Sequence, residues 1–324
     1  MHPFLTMFSK IFTSVKLLIP FAACCIVFFS VGHSTGANFI KTHSNRTNCT
    51  VIALQEIPVL RVMSYNIRYA GAADTGVIKW DHRKKFITSI IRYHHPDIIG
   101  LQEVTARQIN YFDSTLKDFS YAGVGRDDGK EGGEFSPVFF NKKRYEKMAD
   151  STFWLSPTPQ QPGKGWDAAL PRICTWVKLK DRESKMIFFV FNTHFDHIGK
   201  VAREESARLL LRQIYRIAGK SPVILTGDFN SEEKDTPIRI LTGLSELSVY
   251  AFSDAMYISR LPHHGSIPTY CGFDIREGIA GGRIDYIFVS AGISVRNHAT
   301  LTDFEGSHFP SDHFPVISEL QLQQ

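Results

Sequence analysis

The chain has 324 residues, of which 43% are hydrophobic and 21% charged, a composition ordinary for a globular protein of one large or two smaller domains. Two of the +5 net charges, Lys10 and Lys16, lie in an N-terminal segment that has no acidic residue. The sequence contains no block of basic residues, which excludes a nucleic-acid-binding tail.

Residues 1–37 have the order of a secretory signal peptide. The two lysines precede an apolar run at 17–29, and the small residues 34–37 follow it. The apolar run is short for a full membrane span, but the cleavage site is not sharp, so a retained N-terminal anchor is the alternative. We therefore predict a secreted, lumenal or periplasmic protein.

Residues 38–56 are interpreted as a linker that carries two tripeptides of the N-glycosylation type, beginning at Asn45 and Asn48. Without the signal segment, the chain keeps Cys49, Cys174 and Cys271. Three cysteines allow at most one disulfide and one free thiol, and the absence of a Cys-X-X-Cys pair argues against a structural zinc site.

From residue 57 to residue 324 we predict one domain in which strands and helices alternate. Apolar periodicity and turn residues predict, in chain order, strand 59–65, helix 80–94, strand 98–101, a helix at about 105–117, strands 119–124, 135–140, 151–155, 172–180 and 185–193, helix 201–218, and strands 223–225, 284–289 and 316–320. The periodicity places Tyr93 and Val201 on core faces and Arg83 on a solvent face. These elements predict an α/β four-layered sandwich, with two packed mixed β-sheets flanked by helices.

Polar groups follow the predicted strands at the points where active sites are usually assembled. A carboxylate beside a histidine, combined with a second carboxylate beside an amide, suits hydrolysis of a phosphate ester with a hard divalent cation. Each segment alone reads equally well as a capped turn, but the full set favours catalysis. The six segments are Ser64–Asn66, Leu101–Glu103, Asn192–Asp196, Gly227–Asn230, Arg283–Tyr286 and Ser311–His313.

With these motifs in this order, residues 59–321 resemble the endonuclease/exonuclease/phosphatase superfamily. That superfamily includes pancreatic-type deoxyribonucleases, deadenylases, sphingomyelinases and inositol-polyphosphate phosphatases. The chain is most similar to a secreted bacterial-type subgroup with a deadenylase-like front half, through Trp80, Arg83 and the segments 123–129 and 165–172.

The resemblance implies a metal site built from three residues. Glu103 would be the principal ligand of Mg2+ (or Mn2+), and Asp312 would be the second acidic neighbour. Asn66 would orient water or a phosphate oxygen. Hard oxygen ligands without a cysteine cluster favour these ions over zinc.

The resemblance also implies the catalytic residues. His313 would contact the scissile phosphate or transfer a proton, and Asp285 would fix the tautomer of its ring. Asp228 would position or deprotonate the attacking water, and Asn230 would stabilise the pentavalent transition state. Whether Asp228 or His313 is the base stays open. His194 matches a second catalytic histidine, with a packed strand histidine as the alternative.

Substrate-binding candidates come from the loops. Arg126 and Arg172 suit phosphate charge, with an ordinary ion pair as the alternative for each. Trp166 is a candidate for stacking on a base or sugar. His197, two residues beyond the predicted strand end at His194, reads as a solvated side chain.

We therefore predict a secreted Mg2+- or Mn2+-dependent hydrolase that cleaves a phosphodiester or phosphomonoester by in-line attack of water. Its substrate would be a nucleic acid, a sugar phosphate or another small phosphoester, with no obligate protein partner and a monomeric state. The acidic residues Glu232, Glu233 and Asp235 would repel a long polyanion. A catalytically silent binding module that keeps the fold is the alternative.

Overall fold

The structure is a computed structural model, and it describes residues 58–245, 250–277, 279 and 281–323. The predicted signal segment 1–37, the linker 38–56, the tripeptides at Asn45 and Asn48, and Cys49 lie outside these residues. The predicted domain boundaries and the export of the protein therefore stay predictions.

The described residues form two large mixed sheets, one small sheet and their covering helices. The helices are α1 Trp80–His94, α2 Ala106–Thr115, α3 Lys200–Ala218, α4 Thr236–Leu241 and α5 Ala255–Ile258. The strands are β1 Leu60–Asn66, β2 Ile98–Gln102, β3 Val104–Thr105, β4 Phe119–Ala122, β5 Glu134–Phe135, β6 Val138–Asn141, β7 Tyr145–Trp154, β8 Ile173–Asp181, β9 Ile187–His194, β10 Val223–Asp228, β11 Ser253–Asp254, β12 Asp285–Val289, β13 Ile293–Thr300 and β14 Val316–Leu322.

Each large sheet has a parallel pair at its centre. The first sheet has the order β13-β14-β1-β2-β6-β4, and the second has the order β11-β12-β10-β9-β8-β7. Strands β1 and β2 are parallel, as are β9 and β10, whereas their outer neighbours run antiparallel. The parallel pairs bring the carboxyl ends of β1, β2, β9 and β10 to the edges where the polar motifs lie.

Three apolar layers explain why the central strands are buried on both faces. Residues of both sheets, such as Val62 and Ile224, form the core between the sheets. A second core lies between the first sheet and helices α1 and α2, and a third lies between the second sheet and helices α3 and α4. The predicted four-layered α/β sandwich is confirmed.

Several local predictions were wrong. Tyr93 and Val201 are exposed although their spacing placed them on core faces, because each lies at an end of its helix, where neighbouring layers no longer cover it. Helix α4 and strand β13 were not predicted, and β7 begins six residues before the predicted strand at 151–155. The middle of β7 is exposed to solvent and has no apolar face, so apolar periodicity did not predict this strand.

Cys174 and Cys271 are free thiols buried in the fold. Within the described part of the chain, none of the helices combines the length and the apolar composition that crossing a membrane requires.

Candidate active site

Strand register brings the catalytic candidates of the second sheet together. Asp228 ends β10 and is paired across the sheet with Asp285 of β12 on one side and with His194 of β9 on the other. On the first sheet, Asn66 ends β1 beside Gln102, which immediately precedes Glu103. Five of the six motifs therefore lie at strand ends of the two sheets, and the sixth, Ser311–His313, lies in the loop that precedes β14.

His313 and Asp285 form the central pair. The ring Nδ1 of His313 lies 2.9 Å from Oδ2 of Asp285, and its Nε2 lies 3.8 Å from Oδ2 of Asp228. All three side chains are buried. Burial disfavours a charged imidazole, but the two carboxylates outweigh burial and raise the pKa of His313 to about 10.

Asp228 is the second proton-carrying group. Burial, followed by repulsion from Asp285, raises the pKa of Asp228 to about 7, although His313 and the amide of Asn66 pull it downward. At neutral pH the cluster therefore contains a protonated imidazole and a carboxyl group that titrates near the working pH. A cationic proton donor beside a weak base is the arrangement that general acid–base chemistry requires.

Asn66 links the two sheets at the site. Its Nδ2 donates to Oδ2 of Asp228 at 2.9 Å and to Oε1 of Glu103 at 3.1 Å, and it lies 3.4 Å from Nε2 of His313. Its own Oδ1 accepts from the backbone N–H of Arg68 at 3.0 Å. Asn66 is completely buried, so its amide fixes the relative positions of the predicted metal ligand Glu103 and the base candidate Asp228.

The backbone is strained at this cavity. Arg68, Glu103 and Asn230 have φ values of 58°, 61° and 45°, which non-glycine residues adopt at a cost of about 1–3 kcal/mol. All three residues line the same cavity. Strain of this kind persists where the surrounding structure fixes the residue, and it concentrates at functional sites.

His194 is held in place by Asn230. The Nδ2 of Asn230 donates to Nε2 of His194 and to the carbonyl of Phe195, each at 3.0 Å. Burial and the nearby Arg172 and Arg126 hold the pKa of His194 well below its usual value, so the ring is neutral. In this arrangement Asn230 orients His194. The role of Asn230 in stabilising the transition state stays a prediction.

Arg126 and Arg172 both line the cavity, but each also has an acidic partner. Arg126 forms a bidentate pair with Glu134, with contacts of 2.7 and 3.0 Å. The Nε of Arg172 donates to Oδ2 of Asp196 at 3.3 Å. Each guanidinium is therefore ion-paired and also faces the cavity. The geometry is compatible with both interpretations of the sequence, an ordinary ion pair and a contact with phosphate.

Trp166 does not line this cavity. It packs against the core cluster that contains Phe153 and Phe195, in a left-handed backbone conformation with φ of 49°. The preceding Gly165 lies so close to Leu155 that an added Cβ would be 2.1 Å from the Leu155 carbonyl oxygen. The indole is thus partly buried against the core, and its predicted contact with substrate stays a prediction.

Seven further residues line the cavity that the sequence did not indicate as substrate contacts: Arg68, Tyr69, Glu134, Leu170, His197, Tyr270 and Ile284. Arg68 and Tyr69 directly follow Ile67 and the motif residue Asn66, and this proximity is the signal that was available for them. Glu134 begins the two-residue strand β5, and the other four lie outside the helices and strands, where periodic patterning gives no signal. Tyr270 is a neighbour of the catalytic pair, with its ring centroid 5.2 Å from that of His313.

The residues present fit a hard divalent cation. Glu103 and Asp312 line the cavity, and burial raises the pKa of Asp312, whose nearest cationic group is Arg68 at 3.8 Å. A buried carboxylate with so distant a cation is stabilised by an added positive charge. Asp228, Asp285 and His313 also place ligand atoms within 4.8 Å of one another. Because Asp285 and His313 are hydrogen-bonded to each other, we interpret this second group as a proton-sharing cluster.

Comparison with known proteins agrees with this geometry. A model of the Endonuclease/Exonuclease/phosphatase family matches residues 63–313. A solved protein of that family from Bacteroides thetaiotaomicron is 36% identical with a TM-score of 0.78, and the match covers 83% of this chain and 100% of that one. The mannosyl-6-phosphatase of Bacteroides thetaiotaomicron VPI-5482 is 36% identical with a TM-score of 0.75, with coverage of 81% and 99%.

Among curated proteins, Nocturnin of Drosophila melanogaster is 24% identical over 315 residues, which cover 81% of this chain and 47% of Nocturnin. The uncharacterised protein L388 of Acanthamoeba polyphaga mimivirus is 30% identical over 166 residues, covering 49% of this chain and 62% of the viral protein. The chain thus spans less than two thirds of the length of either curated relative.

Proposed function

We propose that this chain, which belongs to the endonuclease/exonuclease/phosphatase family, hydrolyses phosphate monoesters of small hydroxylated alcohols such as sugars. Members of the family are hydrolases that act on phosphate esters and depend on a divalent metal ion. The finer assignment of substrate, of metal and of residue roles is our proposal.

The observation that carries the proposal is the buried His313–Asp285 pair with Asp228 beside it. Water attacks phosphorus in line, a new phosphorus–oxygen bond forms, and the ester bond to the alcohol breaks. Asp228 takes the proton of the water, because its carboxyl group titrates near neutral pH. The cationic His313 stabilises charge at the phosphoryl group and donates a proton where the alcohol leaves.

The cavity supports a small substrate. Its volume of about 690 Å³ lies within the range of small-molecule sites, which is roughly 300–1,000 Å³. The mannosyl-6-phosphatase is similar over its entire length, which supports a sugar-linked phosphate.

The acidic residues that follow the motif Gly227–Asn230 do not support the choice of a small substrate. Glu233 is paired with Arg283 at 2.7 Å, so its charge is neutralised locally. None of Glu232, Glu233 and Asp235 is among the described residues that line the cavity. A small substrate is therefore argued from the cavity and the similarity, and not from repulsion of a polyanion.

Mg2+ or Mn2+ is the proposed metal ion, with Glu103 and Asp312 as its carboxylate ligands. When bound, the ion would neutralise negative charge on the phosphoryl oxygens. Asn66 holds Glu103 in position through the 3.1 Å hydrogen bond to Oε1, and the backbone N–H of Tyr69 holds Oε2 at 3.1 Å. These contacts preorganise the carboxylate before any ion arrives.

The purified full-length chain should be assayed against mannose 6-phosphate, glucose 6-phosphate, phenyl phosphate, bis(4-nitrophenyl) phosphate, single-stranded RNA and supercoiled DNA. Each assay would contain Mg2+, Mn2+ or EDTA. We expect release of inorganic phosphate from the monoesters with either metal and none with EDTA. Cleavage of nucleic acid without turnover of monoesters would contradict the proposed substrate, and full activity in EDTA would contradict the metal. Folded protein without any turnover would favour the silent binding module.

Export is proposed from the sequence of residues 1–37 alone. Intact-mass measurement of the protein from its native host should show cleavage between about Gly32 and Asn38. An unprocessed N terminus in the membrane fraction would favour the anchor instead.

A further inference from the structure

We propose that His197 is a specificity-determining residue of this site, in which the ring Nε2–H donates a hydrogen bond to a hydroxyl or ether oxygen of the leaving alcohol. The inference rests on the proposed function, because it assigns the part of the cavity that recognises the alcohol rather than the phosphate. Its substrate class is a phosphate ester of a polyhydroxylated alcohol.

A single contact fixes the tautomer of His197. The Nη2 of Arg172 lies 2.9 Å from Nδ1 of His197. A guanidinium has donors and no acceptor, so Nδ1 must accept this hydrogen bond. The neutral ring then carries its proton on Nε2, which makes that nitrogen a donor.

Arg172 is itself fixed, so it cannot release the ring easily. Its Nε donates to Asp196, whose two carboxylate oxygens also accept backbone N–H groups. One oxygen accepts from Ala169 at 3.1 Å, from Ile198 at 3.0 Å and from Gly199 at 2.8 Å. Arg172 and Asp196 are buried, and the chain of contacts from Asp196 through Arg172 to His197 orients the imidazole in the free protein.

The Nε2 of His197 has no hydrogen-bond partner among the residues that the structure describes, although the ring lines the cavity. The side chain is 48% exposed, in contrast to His313 at 6% and Asp228 at 2%. The histidine therefore lies toward the solvent side of the cavity, away from the buried cluster that handles the phosphoryl group. An oriented donor there is available to the alcohol.

This arrangement differs from that of the solvated histidine expected from the sequence. A free surface imidazole exchanges between tautomers and rotamers, whereas this one presents one donor in one orientation. Preorganisation of this kind lowers the entropy that binding must overcome, and it favours ligands that supply an acceptor at that point. A phosphate ester whose alcohol has no oxygen other than the ester oxygen gains no affinity from this donor.

Two substitutions separate the donor from the contact that orients it. In His197→Asn the shorter amide keeps an acceptor facing Arg172 but has no donor at the position of Nε2. In His197→Gln the amide nitrogen reaches the position of Nε2 and keeps the donor. The exposed His82 on α1, outside the catalytic cavity, provides the matched control His82→Asn.

Values of kcat/KM should be measured with mannose 6-phosphate and with phenyl phosphate, which has no oxygen beyond its phosphate group. We expect the ratio of sugar ester to phenyl ester to fall about tenfold in His197→Asn, mainly through a higher KM for the sugar ester. In His197→Gln and His82→Asn the ratio should stay within about threefold of wild type. Thermal melts would confirm that each variant is folded.

An unchanged ratio in His197→Asn overturns the inference. An equal loss on both esters also overturns it and leaves the proposed function intact, because such a loss places His197 at the phosphate. If the wild-type protein hydrolyses neither ester, the proposed function fails, and the inference fails with it.

Discussion

Replacement of Asp285 by Asn tests the proton-sharing cluster with the least change in shape. The amide oxygen can still accept from Nδ1 of His313, but the charge that stabilises the imidazolium is lost. The rise in the pKa of His313 from 6.5 to about 10 corresponds to about 5 kcal/mol, at about 1.36 kcal/mol per pH unit. Asp285 is the largest of the carboxylate contributions, so its replacement should lower the pKa of His313 more than the loss of any other carboxylate.

The expected result is a change in the pH dependence of kcat. In the wild type, the alkaline limb should reflect loss of the His313 proton, and in Asp285→Asn this limb should move to lower pH. Loss of the carboxylate that orients the imidazolium and stabilises its charge should also lower kcat at neutral pH by about 10²–10⁴. The new amide N–H would be buried where Oδ1 of Asp285 has no partner, which predicts a loss of about 1–3 kcal/mol in stability.

The assay is phosphate release from phenyl phosphate between pH 5 and pH 11 at saturating Mg2+, with a thermal melt at each pH. Asp254→Asn is a matched control, because Asp254 is also a buried carboxylate bonded to a cation, at Arg283, but does not line the cavity. A folded Asp285→Asn protein with an unmoved alkaline limb and nearly normal kcat would refute the assignment of His313 as the charged donor.

Three further predictions concern the metal, acid stability and Trp166. Glu103→Gln should raise the Mg2+ concentration for half-maximal activity at least about tenfold, measurable by metal titration, and an unaltered requirement would exclude Glu103 as a ligand. Burial acts to raise the pKa of Asp196, but hydrogen bonds from backbone amides and the charge of Arg172 lower it overall to about 2. The free energy of unfolding should therefore fall by about 2 kcal/mol as the pH falls from about 4 to 2. In urea unfolding, the loss of stability over this pH range should be smaller by about that amount in Asp196→Asn than in the wild type, because other carboxylates contribute equally to both; an equal loss in the two proteins would contradict the prediction. Trp166→Phe should lower the melting temperature and leave KM within about twofold, whereas a large rise in KM at normal stability would support its predicted substrate contact.

The positions of the candidate catalytic residues could be predicted where these residues lie at strand ends. Asn66, His194 and Asp228 are the last residues of β1, β9 and β10, and Asp285 is the first of β12. Alternating or continuous apolar runs locate such strands in the sequence, and the polar residue that ends each run is then visible. The register that pairs Asp228 with both His194 and Asp285 follows from the sheet order, which the runs alone do not specify.

Arg83 shows where helical periodicity failed. Its charge and spacing placed it on the solvent face of α1, but it is 3% exposed and lies over the rings of Trp80 and Phe273. Its guanidinium donates to the carbonyls of Ile67 and Pro310 at 2.8 and 2.9 Å, on the segments that carry Asn66 and His313. Buried carbonyl groups of irregular backbone need hydrogen-bond donors, and Arg83 supplies them here. The apolar pattern of a single helix contains no information on these distant carbonyl groups.

The cavity wall was the least predictable part of the site for a similar reason. His197 and Tyr270 contact residues distant in sequence, Arg172 and His313 respectively. Glu134 pairs with Arg126, eight residues before it, in a segment without periodic patterning. Trp166, which the sequence offered as a substrate contact, packs instead against the core and does not line the cavity. Loop residues of the same type can face substrate or core, and composition does not distinguish the two.

The precision of the site depends on how the two sheets are joined beneath it. Asn66 of the first sheet and Asp228 of the second meet at 2.9 Å, so a small slide of one sheet over the other would separate them. A buried polar layer opposes such a slide. Asn192 of β9 donates to the carbonyls of Leu101 and Pro137 at 2.7 and 2.9 Å and accepts from Gln102 at 2.7 Å.

Gly100 allows the sheets to approach closely enough for that layer to form. A Cβ at this position would lie 2.1 Å from Oγ1 of Thr226 and 2.6 Å from Oδ1 of Asn192. Directional hydrogen bonds between the sheets fix one register, whereas the apolar core around them would tolerate several. The proposed metal ligand Glu103, which follows the first sheet, and the proposed proton-transfer residues of the second sheet therefore stay together because this layer fixes the register between the sheets.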